Sequence, residues 1–166
     1  MSEKVLGYDV DGEQLITTAL INLINEYPGL EIGEKFSFAS LGDQGGLSIY
    51  PLAGAAIQER KVDVIGHVRE KSNYPFAIVN RAYGLNQSRK IKAKEWMDAL
   101  GRWFERQPIK LGDDEYQLKK YPELSEGRTI TSILRTSPAY IDTIEENKSE
   151  NWVISMSLTY EREYQL

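Results

Sequence analysis

Apolar residues recur at Leu15, Ile16, Ala19, Leu20, Leu23 and Ile24, the spacing of one helical face, and the pattern stops at Tyr27-Pro28-Gly29. Asp11 followed by Gln14 has the form of a capping box, so the spacing predicts a helix over residues 12–26. Alternation then takes over. Phe36 and Phe38 alternate with Ser37 and Ala39, and Leu41-Gly42-Asp43-Gln44-Gly45-Gly46 reads as a turn into a second strand ending at Pro51. Residues 52–60 carry no decisive pattern. Residues 62–69 and 74–82 are β-rich, and Glu70-Lys71-Ser72-Asn73 between them reads as a hairpin loop.

A second helix is predicted from a cap at Ser88 through Arg106, with Trp96, Ala99, Leu100 and Trp103 on its apolar side and Pro108 ending it. Residues 109–127 read as a long polar connection with room for one short turn of helix. Three strands follow over residues 129–135, 139–145 and 151–161, the last two joined by a loop at 145–150. The last strand is the clearest: Trp152, Ile154, Met156, Leu158 and Tyr160 share one face, and Val153, Ser155, Ser157, Thr159 and Glu161 share the other. One buried and one mostly wet face suits an antiparallel sheet. The expected fold class is α+β, a mostly antiparallel or mixed sheet with two main helices packed on one face, in a single domain over residues 1–166.

Composition narrows the chemistry. No cysteine is present, so disulfides, thiolate nucleophiles and the usual structural zinc sites are excluded. No run of about 18 apolar residues appears, and the N-terminus lacks an apolar signal stretch, so a cytoplasmic folding site is expected rather than a membrane. The net charge is −5, unevenly spread: residues 1–56 carry −6, residues 57–110 carry +6 and residues 111–166 carry −5. Arg89, Lys90, Lys92 and Lys94, with Arg102 and Arg106 behind them, are candidate interface residues, since opposed charge blocks fix register between subunits. The plainer alternative is a solvated helix face. Glu95, Asp98 and Glu105 interrupt the basic run and no nucleic-acid motif accompanies it, so specific nucleic-acid binding is not expected.

Other candidates reduce to structure. His67 is the single histidine, no Gly-x-Ser-x-Gly elbow exists to partner it, and it reads as a surface or half-buried residue. Asp9-Val10-Asp11-Gly12 has part of a calcium loop, but Gly7 and Thr18 would stand where carboxylates are required. Gly42, Gly45 and Gly46 are too closely spaced for a phosphate loop. Asp113, Asp114 and Glu115 read as solvated, and Trp96, Trp103 and Trp152 as core. No catalytic, cofactor-binding or metal residue is assigned, and no cofactor is expected.

The helix running into Tyr27-Pro28-Gly29-Leu30, the Lys35-Phe36-Ser37-Phe38 strand and Gly45-Gly46-Leu47-Ser48-Ile49-Tyr50-Pro51 resemble, in order and wording, the start of the minor capsid proteins of tailed bacteriophages of tail-terminator or tail-completion type. The resemblance extends through Val64-Ile65-Gly66, Pro75-Phe76-Ala77-Ile78-Val79 and the Trp96-Met97-Asp98-x-Leu100-Gly101-x-Trp103 run, and weakens over residues 109–127. It implies a small α+β fold and a non-enzymatic virion protein. Such a protein caps the tail tube, stops its polymerisation and forms part of the head-tail joining interface. It further implies a hexameric ring, partners in the tail tube protein and the head-tail connector proteins, and a place at the tail-head junction of a virion assembled in the bacterial cytoplasm. Two other readings stay open: a connector or stopper protein of the neck, and a small hydrolase.

Overall fold

A computed structural model describes residues 13–43, 45–54 and 56–166. The Asp11 capping box and the Asp9–Gly12 segment lie outside the described residues. The elements in chain order are α1 (Glu13–Ile24), β1 (Phe36–Phe38), β2 (Gly46–Pro51), β3 (Ile57–Val62), β4 (His67–Ala82), α2 (Gln87–Phe104), β5 (Ile109–Leu111), β6 (Asp114–Tyr116), β7 (Arg128–Arg135), β8 (Tyr140–Ile144) and β9 (Glu150–Gln165). The fold is α+β, as the patterning requires.

The long strands β4 and β9 pair antiparallel from His67↔Gln165 to Ala82↔Glu150 and form the spine. Beyond β4 lie β2 and β3 end to end, with β1 parallel to β2 at the outside; beyond β9 lie β7 and β8. Both helices cover one face. Ile16, Leu20, Leu23 and Ile24 of α1 and Met97, Leu100, Trp103 and Phe104 of α2 join Phe76, Ile78, Trp152, Ile154, Met156, Leu158 and Tyr160 of the spine in one core. Each large side chain buried there contributes about 1.5 to 3 kcal/mol.

The opposite sheet face is less wet than the alternation predicts. Val153, Ala77 and Val79 are buried against Leu41 and Tyr50, and Ser155, Ser157 and Thr159 are half-buried. The loop at residues 39–43 accounts for part of this cover. Ser40 N–H donates to Ser48 Oγ at 3.1 Å, Arg81 Nη1 to Gly42 O at 3.1 Å, and Ser149 Oγ to Asp43 O at 3.3 Å. Backbone groups of the loop thereby find partners on the sheet, and the loop stays on the face.

Several boundaries differ from the sequence reading. The expected hairpin loop at residues 70–73 is strand: residues 67–82 run unbroken, and the chain reverses instead at Asp63-Val64-Ile65-Gly66. The ambiguous 52–60 stretch supplies β3. Helix α2 is capped by Asn86, not Ser88: its backbone is extended, at φ −84 and ψ 174, and its side chain accepts from Arg89 N–H at 2.9 Å. The same helix ends at Phe104, before Pro108, because Arg106 turns to φ 63. The polar connection contains the β5–β6 hairpin, turned at Gly112.

Candidate interface surfaces

Helix α2 divides the four candidate interface cations into two pairs. Lys90 Nζ lies 2.7 Å from Glu150 Oε1 at the start of β9, and Lys94 Nζ lies 2.6 Å from Asp98 Oδ2 one turn on. Asp98 spends its other oxygen on Ala139 N–H at 3.0 Å, and Glu150 accepts from the Trp152 indole at 3.3 Å. Lys90 and Lys94 are thus paired within the chain: Lys90 ties α2 to β9, and Lys94 pairs one turn along its own helix. Arg89 and Lys92, three residues apart, are exposed and form no ion pair among the described residues. They are the half of the predicted cluster that remains open to a partner.

Those two cations border a cleft of about 330 Å³ between α2, β2 and the end of β4. Its floor is apolar, with Leu47, Ala82, Leu85, Ala93 and Trp96, and Glu31 and Glu34 stand on the far rim. The cleft is shaped by a clamp on Trp96. The indole N–H donates to Gly29 O at 2.8 Å, and Tyr27 Oη donates to Trp96 O at 3.3 Å. The Tyr27 ring meets Trp96 edge-on at 5.3 Å, and Phe36 stacks on it at 6.2 Å. Position 29 has to be glycine, since a Cβ there would lie 2.5 Å from the Tyr27 ring. Asn25 fixes the neighbouring strand by accepting from Phe36 N–H at 2.8 Å.

The second surface is the end of the β3–β4 arm. Asp63 Oδ1 accepts from Ile65 N–H at 3.0 Å and His67 N–H at 2.9 Å, and Gly66 takes φ 82 to close the turn. Val64 and Ile65 at the tip are 104% and 75% exposed. Reading residues 62–69 as strand hid them. The signal that could have found them is Asp63 with Gly66 three residues later, a turn pattern, rather than hydropathy.

Elsewhere the candidate chemistry resolves into structure. His67 is half-buried, with Nε2 3.6 Å from Glu163 Oε2, and among the described residues no serine is hydrogen-bonded to it. Asp113 turns the β5–β6 hairpin, and Asp114 and Glu115 lie exposed on β6. No group of three or more His, Cys, Asp or Glu that could hold a metal occurs among the described residues. Among the described residues, no helix is long and apolar enough to cross a membrane. Trp103 and Trp152 are core, and Trp96 is half-buried as the clamp.

Burial pushes the phenols of Tyr27 and Tyr121 above the ordinary tyrosine range. For Tyr121 this is opposed in part by the hydrogen bond from Ile133 N–H and by the Arg106 charge. In the unfolded chain these tyrosines ionise near pH 10, whereas the folded chain holds their protons, so the unfolded state binds fewer protons above that pH. Stability is therefore expected to be flat up to about pH 10 on this account and to fall as pH rises through the folded values. Denaturation midpoints between pH 8 and 11 check this; Tyr27→Phe should flatten part of the decline.

No protein-family model matches the chain, and no curated protein matches it.

Proposed function

We propose that this protein is a non-enzymatic assembly protein of a phage virion, a tail-terminator-type subunit that caps the tail tube, stops its growth and contributes to the joint with the head. The observation that carries the reading is where its resemblance-bearing residues meet. Tyr27 and Gly29 from the first block, Phe36 from the second and Trp96 from the helical run converge on one clamp, although up to 69 residues separate them in sequence. Resemblance carried by residues that pack on one another supports a common architecture more than matches scattered over unconnected surface sites would. A hexameric ring is part of the proposal, built from head-to-tail contacts whose rotation closes. Its partners are the tail tube protein and the head-tail connector proteins.

Virions assembled without the protein test it. Tails of uncontrolled length that carry no heads are the expected result under negative stain; head-bearing tails of normal length would overturn the proposal. A second measurement addresses the open cations. Arg89→Glu with Lys92→Glu is expected to slow association several-fold at low salt while leaving the melting temperature in place, because exposed pairs contribute only about 0 to 1 kcal/mol each and act mainly on encounter. Scattering-detected assembly at two ionic strengths reads this out. Identical curves for variant and wild type would remove these residues from the interface.

A further inference from the structure

We infer that the Val64–Ile65 tip of the β3–β4 arm seats in the Trp96 cleft of a second copy of this chain, the contact by which successive subunits join. The tip is built as an anchor rather than a loop. Its backbone is pinned by the Asp63 carboxylate, by Gln165 Nε2 donating to Ile65 O at 2.6 Å, and by Leu166 N–H donating to Gly66 O at 2.9 Å. The side chains it presents are aliphatic, and Leu166 beside them is 71% exposed. Rigid apolar groups that need no ordering on contact lose little conformational entropy when they dock.

The cleft offers the matching chemistry, an apolar floor of Leu47, Leu85, Ala93 and Trp96 inside a charged rim. A chain cannot fill its own cleft. The tip adjoins His67 and the cleft adjoins Ala82, the two ends of one 16-residue strand, which separates them by roughly 50 Å. Contacts at opposite ends of a subunit are heterologous and pass from copy to copy. Charge agrees. Glu31, Glu34, Arg89 and Lys92 on the rim have no ion pair among the described residues. On the arm, Lys61 pairs with Glu59 at 2.9 Å and Arg69 with Glu163 at 3.1 Å, exposed pairs that lose little when exchanged for partners on the rim.

The biological meaning rests on the ring reading above, but the contact is tested separately. The chain has no cysteine, so Ile65→Cys with Leu85→Cys places the only two thiols at the proposed contact. A short bis-maleimide, which adds to one thiol at each end, should give a ladder of covalent oligomers from the double variant and none from either single variant. Val64→Asp with Ile65→Asp, at exposed positions where folding is not at stake, should weaken self-association about 100-fold or more, since the burial of two aliphatic side chains is lost. Equal cross-linking of Ile65→Cys alone, which would mean tip-to-tip contact, would overturn the inference. So would a wild type that stays monomeric at every concentration, or undiminished association of the aspartate variant. A ring that forms without the Ile65–Leu85 cross-link would overturn this contact and leave the ring standing. A ladder alongside normal tails in virions lacking the protein would do the reverse.

Discussion

Leu158→Asp is expected to remove most of the domain's stability. Leu158 is fully buried in the middle of β9, between β4 and β7, with Tyr74 and Ile133 as its cross-strand partners. The substitution forfeits the leucine's burial and puts a carboxylate into a fully buried apolar position, a cost of several kcal/mol against a total of about 5 to 15. Ser155→Asp provides the comparison on the opposite face. That serine is half-buried, so its replacement can keep part of its hydration, and a loss of about 1 to 2 kcal/mol is expected. Denaturant midpoints decide between them. Losses of equal size would mean that both sheet faces carry the core equally, contrary to the placement of both helices on one.

Glu105→Ala carries the next largest effect, because this one carboxylate fastens the end of α2 to β7. It takes Arg135 Nη2 at 2.7 Å and Nε at 2.8 Å on one oxygen, and accepts from Arg135 backbone N–H at 3.1 Å on the other. The pair is largely screened from water, with the Glu105 side chain 11% exposed. The Arg135 stem also lies over Gly101, where a Cβ would come within 2.5 Å of its Cδ. Truncating Glu105 leaves a half-buried guanidinium and a backbone donor without their acceptor, for a loss of about 2 to 3 kcal/mol. A double-mutant cycle with Arg135→Ala isolates the pair; a coupling below about 0.5 kcal/mol would show that the helix end is held by packing alone.

The last strand was the most legible element because period-two alternation over ten residues has one physical reading, and all five residues assigned to its core face are buried. The apolar face of α1 was legible for the same reason at helical period. The 67–82 strand was misread because Glu70, Lys71, Ser72 and Asn73 have turn composition, yet pairing with both β3 and β9 supplies their backbone hydrogen bonds and holds them extended. Tertiary pairing overrides local propensity in such a case. The candidate basic cluster was legible as a group but not in its division, since side chains one or two apart in sequence leave a helix in different directions.

By itself, then, the sequence determined the class of fold, the identity of the two helices, the core face of β9 and the lack of thiol chemistry, all of which follow from periodicity and composition within short windows. Tertiary structure decided the rest. It paired Lys90 with Glu150 of β9 and left Arg89 and Lys92 open beside the Trp96 cleft. It also carried Val64 and Ile65 to the tip of an arm at the far end of the same strand. The physical reason is that ion pairing and exposure depend on which residues distant in sequence become neighbours, and a periodicity of 2 or 3.6 reports only which side of its own element a residue is on.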